Sequence, residues 1–153
     1  MAWVTPITDR VLSDITTPTS KGYFNVADWE RIDGNVDVIK AMLDAADYLD
    51  IPLNTLITPT ITTIPDVDDI NDFIENIVLL QESASLPIGL GLVTLTYNYV
   101  GGANFTVPDF EDVNDWENNL LILYDVLPRV IDYQIHCGVA AVGQLRLWQN
   151  RFR

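Results

Sequence analysis

Hydrophobic residues recur along this chain in one phase, three times over. Trp29, Ile32, Val36 and Ile39 step by three, four and three residues. Ile70, Phe73, Ile77 and Leu80 repeat those steps, and so do Val113, Trp116, Leu120 and Leu123. This spacing lays an apolar stripe along one side of a helix, the seam that packs helix against helix. Each stripe follows the same opening phrase: Asn25-Val26-Ala27-Asp28, Asp66-Val67-Asp68-Asp69 and Asp109-Phe110-Glu111-Asp112. The copies lie 41 and 43 residues apart, a period found in repeat architectures.

The opening phrase predicts where the helices begin. Asn25, Asp66 and Asp109 can each accept a hydrogen bond from the amide three residues on, and Asp28, Asp69 and Asp112 can reach back. Phe24 and Trp29 can close a hydrophobic staple across the first cap. The predicted units lie near 24–49, 65–85 and 108–134. Ile51-Pro52 stops the first, Leu86-Pro87 and Gly89 stop the second, and Pro128 should end or kink the third.

Each copy also places an Asn one residue before its third apolar position: Asn35, Asn76 and Asn119. Two readings fit. The three amides converge into an inter-helix polar network that fixes register, or they are exposed side chains on the edge of the seam.

Between the helices the pattern changes. Residues 1–22 contain Thr5-Pro6 and Thr17-Pro18 and read as an extended arm, because Pro pushes the residue before it out of helical geometry. Residues 52–65, rich in Thr and Pro, read as an extended loop or short strand. Val93, Leu95, Tyr97 and Tyr99 alternate with Thr94, Thr96 and Asn98, which predicts a half-buried strand over 91–100. A second strand is expected near 139–150, where Gly138 and Gly143 disfavour helix. The expected fold is mainly α with a small β element (α+β): three repeat-related helices packed as a bundle plus a short β hairpin or sheet, in a single domain over 1–153.

Charge narrows the choice of partner. The formal net charge is −14, and from Ala41 to Leu127 there are 15 acids and no Lys or Arg. Nucleic-acid binding needs cations that displace condensed counterions, so no nucleic acid is expected. An acidic surface serves solubility, or it attracts basic partners or divalent ions. Three of the eight cations, Arg146, Arg151 and Arg153, fall in the last eight residues. They form either a basic arm that docks on a neighbouring subunit or a solvated end.

Candidate chemistry is sparse. A lone cysteine, Cys137, offers no intramolecular disulfide framework and suits a reducing cytoplasm. The opening residues lack the pattern of a signal peptide, and no apolar run reaches the ~18 residues of a membrane span. Asp66–Asp72 is dense in acids but lacks the mid-loop Gly and twelfth-position Glu of an EF-hand, so helix capping accounts for it better. His136 and Cys137 are immediate neighbours whose side chains diverge, and they form neither a zinc set nor a dyad. There is no Gly-x-Ser-x-Gly elbow, and Gly89-Leu90-Gly91 lacks the rest of a phosphate loop. The acids could supply a carboxylate pair for glycoside hydrolysis, but no cleft is evident. Trp3, Tyr23, Tyr97, Tyr99, Tyr133 and Trp148 lie off the stripes, where aromatics stack on sugars or anchor protein interfaces.

Two segments carry a resemblance. Trp3-Val4-Thr5-Pro6-Ile7-Thr8-Asp9, with Phe24-Asn25-Val26-Ala27-Asp28-Trp29-Glu30-Arg31-Ile32-Asp33-Gly34-Asn35, resembles the opening of structural proteins from tailed phages and prophages of Gram-positive bacteria. The likeness is good over roughly residues 3–40 and loose elsewhere. Arg31-Ile32 becomes Asp72-Phe73 and Asp115-Trp116 in the later copies. The resemblance implies a virion component of tail, fibre or similar appendage, made in the host bacterial cytoplasm, and it brings no catalytic residues.

The expectation is therefore a non-enzymatic homo-oligomeric protein without cofactor or metal, which assembles with itself and with other virion proteins. Trp3, Arg146, Trp148, Arg151 and Arg153 are the expected assembly contacts. The alternative is a receptor- or carbohydrate-binding module of a phage appendage that contacts cell-surface glycan. A small acidic enzyme or inhibitor comes third.

Overall fold

The computed structural model describes residues 2–17, 19, 21–22, 24–46, 51–60, 62–84, 90–95, 99–101 and 108–137, with the backbone alone over 132–137. Helix α1 spans Leu12–Thr16, α2 Val26–Ala45, α3 Val67–Ala84 and α4 Phe110–Cys137. The three long helices form a bundle in which each packs against the other two.

All three open at the expected residues. The Asn25 Oδ1 accepts from the amides of Ala27 and Asp28, and the Asp28 carboxylate accepts from the Asn25 amide. Asp66 with Asp69, and Asp109 with Asp112, repeat this arrangement bond for bond. The acids of the Asp66 segment thus satisfy amides that a helix start leaves without partners.

The stripes meet in the core. Eleven of their twelve residues are buried, and Ile70 is half-buried against the others. Leu43, Ile74, Ala84 and Leu127 extend the seam. At one end Trp29 and Phe73 lie 4.3 Å apart between ring centroids, and Trp116 meets Phe73 edge-on. Phe24 stands edge-on to both tryptophans, so the predicted staple also caps the aromatic end of the core. Burying the rings of Trp29, Phe73 and Trp116 contributes about 2–3 kcal/mol each.

Four expectations need correction or extension. Residues 91–95 and 99–100 form no strand, and no sheet occurs among the described residues. The fold over those residues is all-α, and the α+β assignment does not stand. The alternation was real, but the backbone of this segment bonds to helix side chains instead of to another strand. The second expected strand, 139–150, lies outside the described residues. Within the arm, Leu12–Thr16 forms a short helix whose first turn is held by the Asp14 carboxylate accepting from the Val11 amide. Gly22 closes against this turn so tightly that a Cβ would sit 2.0 Å from the Asp14 carbonyl oxygen. Finally, α4 continues through Pro128 to Cys137. Pro128 is on the exposed side of α4 while Leu127 is buried, so the carbonyl it leaves unpaired one turn back sits on the half-exposed side of the helix at Tyr124. Helix α2 is described as far as Ala45, and residues 47–50 lie outside the described set.

Candidate functional site

Three extended straps run over the bundle, each preceding a long helix in the chain: strap 1 (residues 2–11) before α2, strap 2 (51–59) before α3, and strap 3 (92–95 and 99–101) before α4. The repeated asparagines fasten them. The Asn35 Oδ1 accepts from the Val4 amide at 2.9 Å while its Nδ2 donates to the Val4 carbonyl at 2.8 Å. Asn76 grips Asn54 in the same way, at 2.7 and 3.0 Å. Asn119 grips Val93 at 2.9 and 2.8 Å. A residue presents its own N–H and C=O to one side only when extended, as in a hydrogen-bonded pair of antiparallel strands. Each carboxamide therefore stands in for the facing residue of a neighbouring strand. Asn35, Asn76 and Asn119 thus bond from helix to strap and not from helix to helix, and all three side chains are buried.

A second set of clamps lies six residues along the straps. Asn114 grips the amide and carbonyl of Arg10, and Asn71 grips those of Tyr99. Straps 1 and 3 are thus fastened first to the helix they precede and then to a neighbour: strap 1 to α4, strap 3 to α3. By this rotation strap 2 would reach α2 at Thr60, opposite the slot that aligns with Asn71 and Asn114. Glu30 occupies that slot, and a carboxylate cannot donate. Instead Thr60 exchanges both backbone hydrogen bonds with Thr63, at 3.0 and 3.3 Å, so the missing amide leaves nothing unpaired.

Strap 1 carries a further fastening. Arg10 enters the bundle and places its Nη2 3.1 Å from Asp28 Oδ1 and 2.8 Å from Glu117 Oε1. Arg31 binds the same two carboxylates, and its Nε lies 3.0 Å from Glu117 Oε2. That oxygen also accepts from the Ile7 amide at 2.7 Å. Two cations and two anions thus balance at the junction of strap 1, α2 and α4. Glu117 is fully buried and Arg10 nearly so. Burial tends to lower the Arg31 pKa, but its hydrogen bonds to Glu117 and Asp28 outweigh that and raise it. Nearby, Lys21 holds the Asp9 carboxyl below its ordinary value. Burial pushes Asp33 above its ordinary value, with Asp37 adding to the effect. Burial, assisted by Asp112, pushes the Tyr99 hydroxyl up.

Two shallow, open depressions flank the second clamps. One is lined by Thr8 and by Glu111, Asn114, Asp115 and Asn118 of α4; the other lies between Asp66–Asp68 and Tyr99–Gly101. No group of three or more His, Cys, Asp or Glu positioned to hold a metal occurs among the described residues. No helix there is long and apolar enough to cross a membrane.

Of the expected assembly contacts, Trp3 lies in strap 1 with its ring stacked on Tyr124, 3.9 Å between centroids and 7° from parallel. Arg146, Trp148, Arg151 and Arg153 lie outside the described residues. Reading the chain missed Arg10, Glu117, Asn71 and Asn114. Two signals pointed to them. Glu117 occupies the slot that holds Ile74 in the second copy, and an Asn recurs five residues after two of the three caps. Comparison with models of known families, with curated proteins and with solved structures gives no match.

Proposed function

We propose that this chain is a non-enzymatic structural component of a tailed-phage particle, acting by presenting a rigid clamped surface to copies of itself and to other virion proteins. The reading rests on one observation: Asn25, Asp28, Arg31 and Asn35 of the phage-like opening are all engaged in holding the fold together. Asn25 and Asp28 cap α2. Asp28 and Arg31 then hold Arg10 and Glu117 in the buried cluster, and Asn35 fastens Val4. Trp3 turns one face onto Tyr124, which removes that face as a platform for sugar. Side chains that fix the start of α2 and the path of strap 1 in this way suit an assembly protein, because its mechanism is geometry.

Deleting the gene from its phage or prophage tests the proposal. Particles that lack the appendage or fail to assemble are the expected result, with the protein found in intact virions by mass spectrometry. Normal, infectious particles without it, together with a purified protein that stays monomeric at high concentration, would overturn the proposal. Retention on purified cell walls but not in particles would favour the adhesin alternative.

A further inference from the structure

The geometry points to the outer edge of strap 3 as a strand-pairing surface for the same strap of a second copy. This deepens the assembly reading and rests on it. Asn119 takes both backbone groups of Val93 from one side. In extended backbone the groups of the flanking residues point the other way. The amides and carbonyls of Leu92 and Thr94 thus face away from α4, and no hydrogen bond among the described residues involves them. Thr94 is exposed and Val93 is 37 % exposed.

Natural proteins guard such edges with charge, proline or local distortion. Strap 1 is guarded by Pro6 and by Asp9, which projects into solvent with Lys21 on it. Strap 2 has Pro52 and Pro59, and its Leu53 amide is turned back onto the Ile51 carbonyl. Strap 3 carries neither proline nor charge, and its one distortion, Gly91 at φ +81°, precedes the Leu92–Thr94 edge. From Ile88 to Val107 the sequence contains no Pro, and from Ser83 to Pro108 it contains no charged residue. Two copies that each carry a net charge of −14 repel over most of their surface. Here they can approach without placing like charges together. The occupant is therefore the same strap of a second copy, antiparallel about a two-fold axis, so that each Thr94 and Leu92 edge serves the other. Helix α4 already covers the inner edge, so pairing stops at two copies and does not propagate into a fibre.

Residue-resolved hydrogen exchange on the intact protein, across a dilution series that spans its dimerisation, tests this. The Val93 amide is expected to be protected at every concentration, whereas Thr94 and Leu92 should gain about ten-fold or more in protection only where the dimer forms. The variant Thr94→Pro removes the outer donor and keeps Val93 extended, as its clamp requires. It should retain the wild-type melting temperature and weaken dimerisation about ten-fold or more by light scattering. If the variant does not fold, the exchange measurement decides alone. An oligomer in which Thr94 exchanges freely, or which Thr94→Pro leaves intact, would overturn the strap pairing but leave assembly standing. A wild-type protein that is monomeric throughout would overturn both.

Discussion

Replacing Asn119 separates clamp from packing. The side chain is fully buried and makes two hydrogen bonds, 2.9 and 2.8 Å, to one residue of strap 3. Leucine has nearly the same shape and keeps the helix seam filled, so Asn119→Leu chiefly deletes the amide. Two net hydrogen bonds at about 1 kcal/mol each set the scale. Val93 is partly exposed, so water can recover some of the loss, whereas detachment of the strap would also expose Leu95, which is 8 % accessible. The expected destabilisation is about 2–3 kcal/mol, read as a shift in the urea midpoint by tryptophan fluorescence. Asn119→Asp gives a sharper signature. At neutral pH it sets a buried carboxylate against the Val93 carbonyl and should cost more than the Leu variant. Once protonated, the acid again offers one donor and one acceptor. Its folded pKa is therefore raised, so its stability relative to wild type should recover as pH falls through that value and be lost as pH rises again. A Leu variant within about 0.5 kcal/mol of wild type, or an Asp variant whose deficit does not change with pH, would refute the clamp as a source of stability.

Other perturbations follow from the same geometry. Glu117→Gln leaves the buried cluster with excess positive charge and should cost about 3 kcal/mol, whereas the pair Arg10→Met with Glu117→Leu should cost less than that single change; equal or additive losses by denaturation would contradict a balanced cluster. Asn71→Leu should cost about 1–2 kcal/mol while Glu30→Asn is nearly silent, because Thr63 already satisfies Thr60; a clear gain from Glu30→Asn would show an open slot. Asp33→Asn should stabilise the protein at pH 7 by a few tenths of a kcal/mol, since burial and Asp37 disfavour its charge. The raised carboxyl means this gain is fully present above the folded pKa and vanishes as pH falls below the ordinary value of 3.8. Matched denaturation curves at both ends of that range check it.

What could be read from the chain was what is local. A cap and its partner three residues on, or a stripe stepping three and four, is complete within one or two turns, and all of these fell where expected. The asparagines were half legible. Their recurrence marked Asn35, Asn76 and Asn119 as special, but their partners lie 31, 22 and 26 residues away, and no pattern in the chain encodes that pairing. Strap 3 was read as a strand for a related reason. Alternation reports which way side chains point, and it is the same whether the backbone faces another strand or a carboxamide. The ionic cluster was the least legible part, because Arg10 and Glu117 lie 107 residues apart and nothing in the chain marks them as partners.

The departures from three-fold repetition are confined to particular places in the fold. Caps, stripes and first clamps are present in all three units, which is what folding a self-consistent bundle requires. The second clamp survives twice and is replaced once by a backbone turn that meets the same hydrogen-bonding need, so the fold tolerates its loss there. The buried charges occur only where strap 1 crosses α2 and α4. A salt-bridge cluster is a poor way to gain stability, since apolar side chains of similar volume often do as well or better. What it supplies is a unique register: Arg10 fits only where Asp28 and Glu117 both face it, and Ile7 must then meet the second oxygen of Glu117. Strap 1 is therefore the strap whose position is most narrowly specified. If its exposed side contacts another subunit, shifting strap 1 by one residue should abolish assembly while leaving the helices intact. Inserting a single Ala between Thr8 and Asp9 makes that shift. A particle or oligomer that tolerates the insertion would show that the exact path of strap 1 matters only to this chain's own fold.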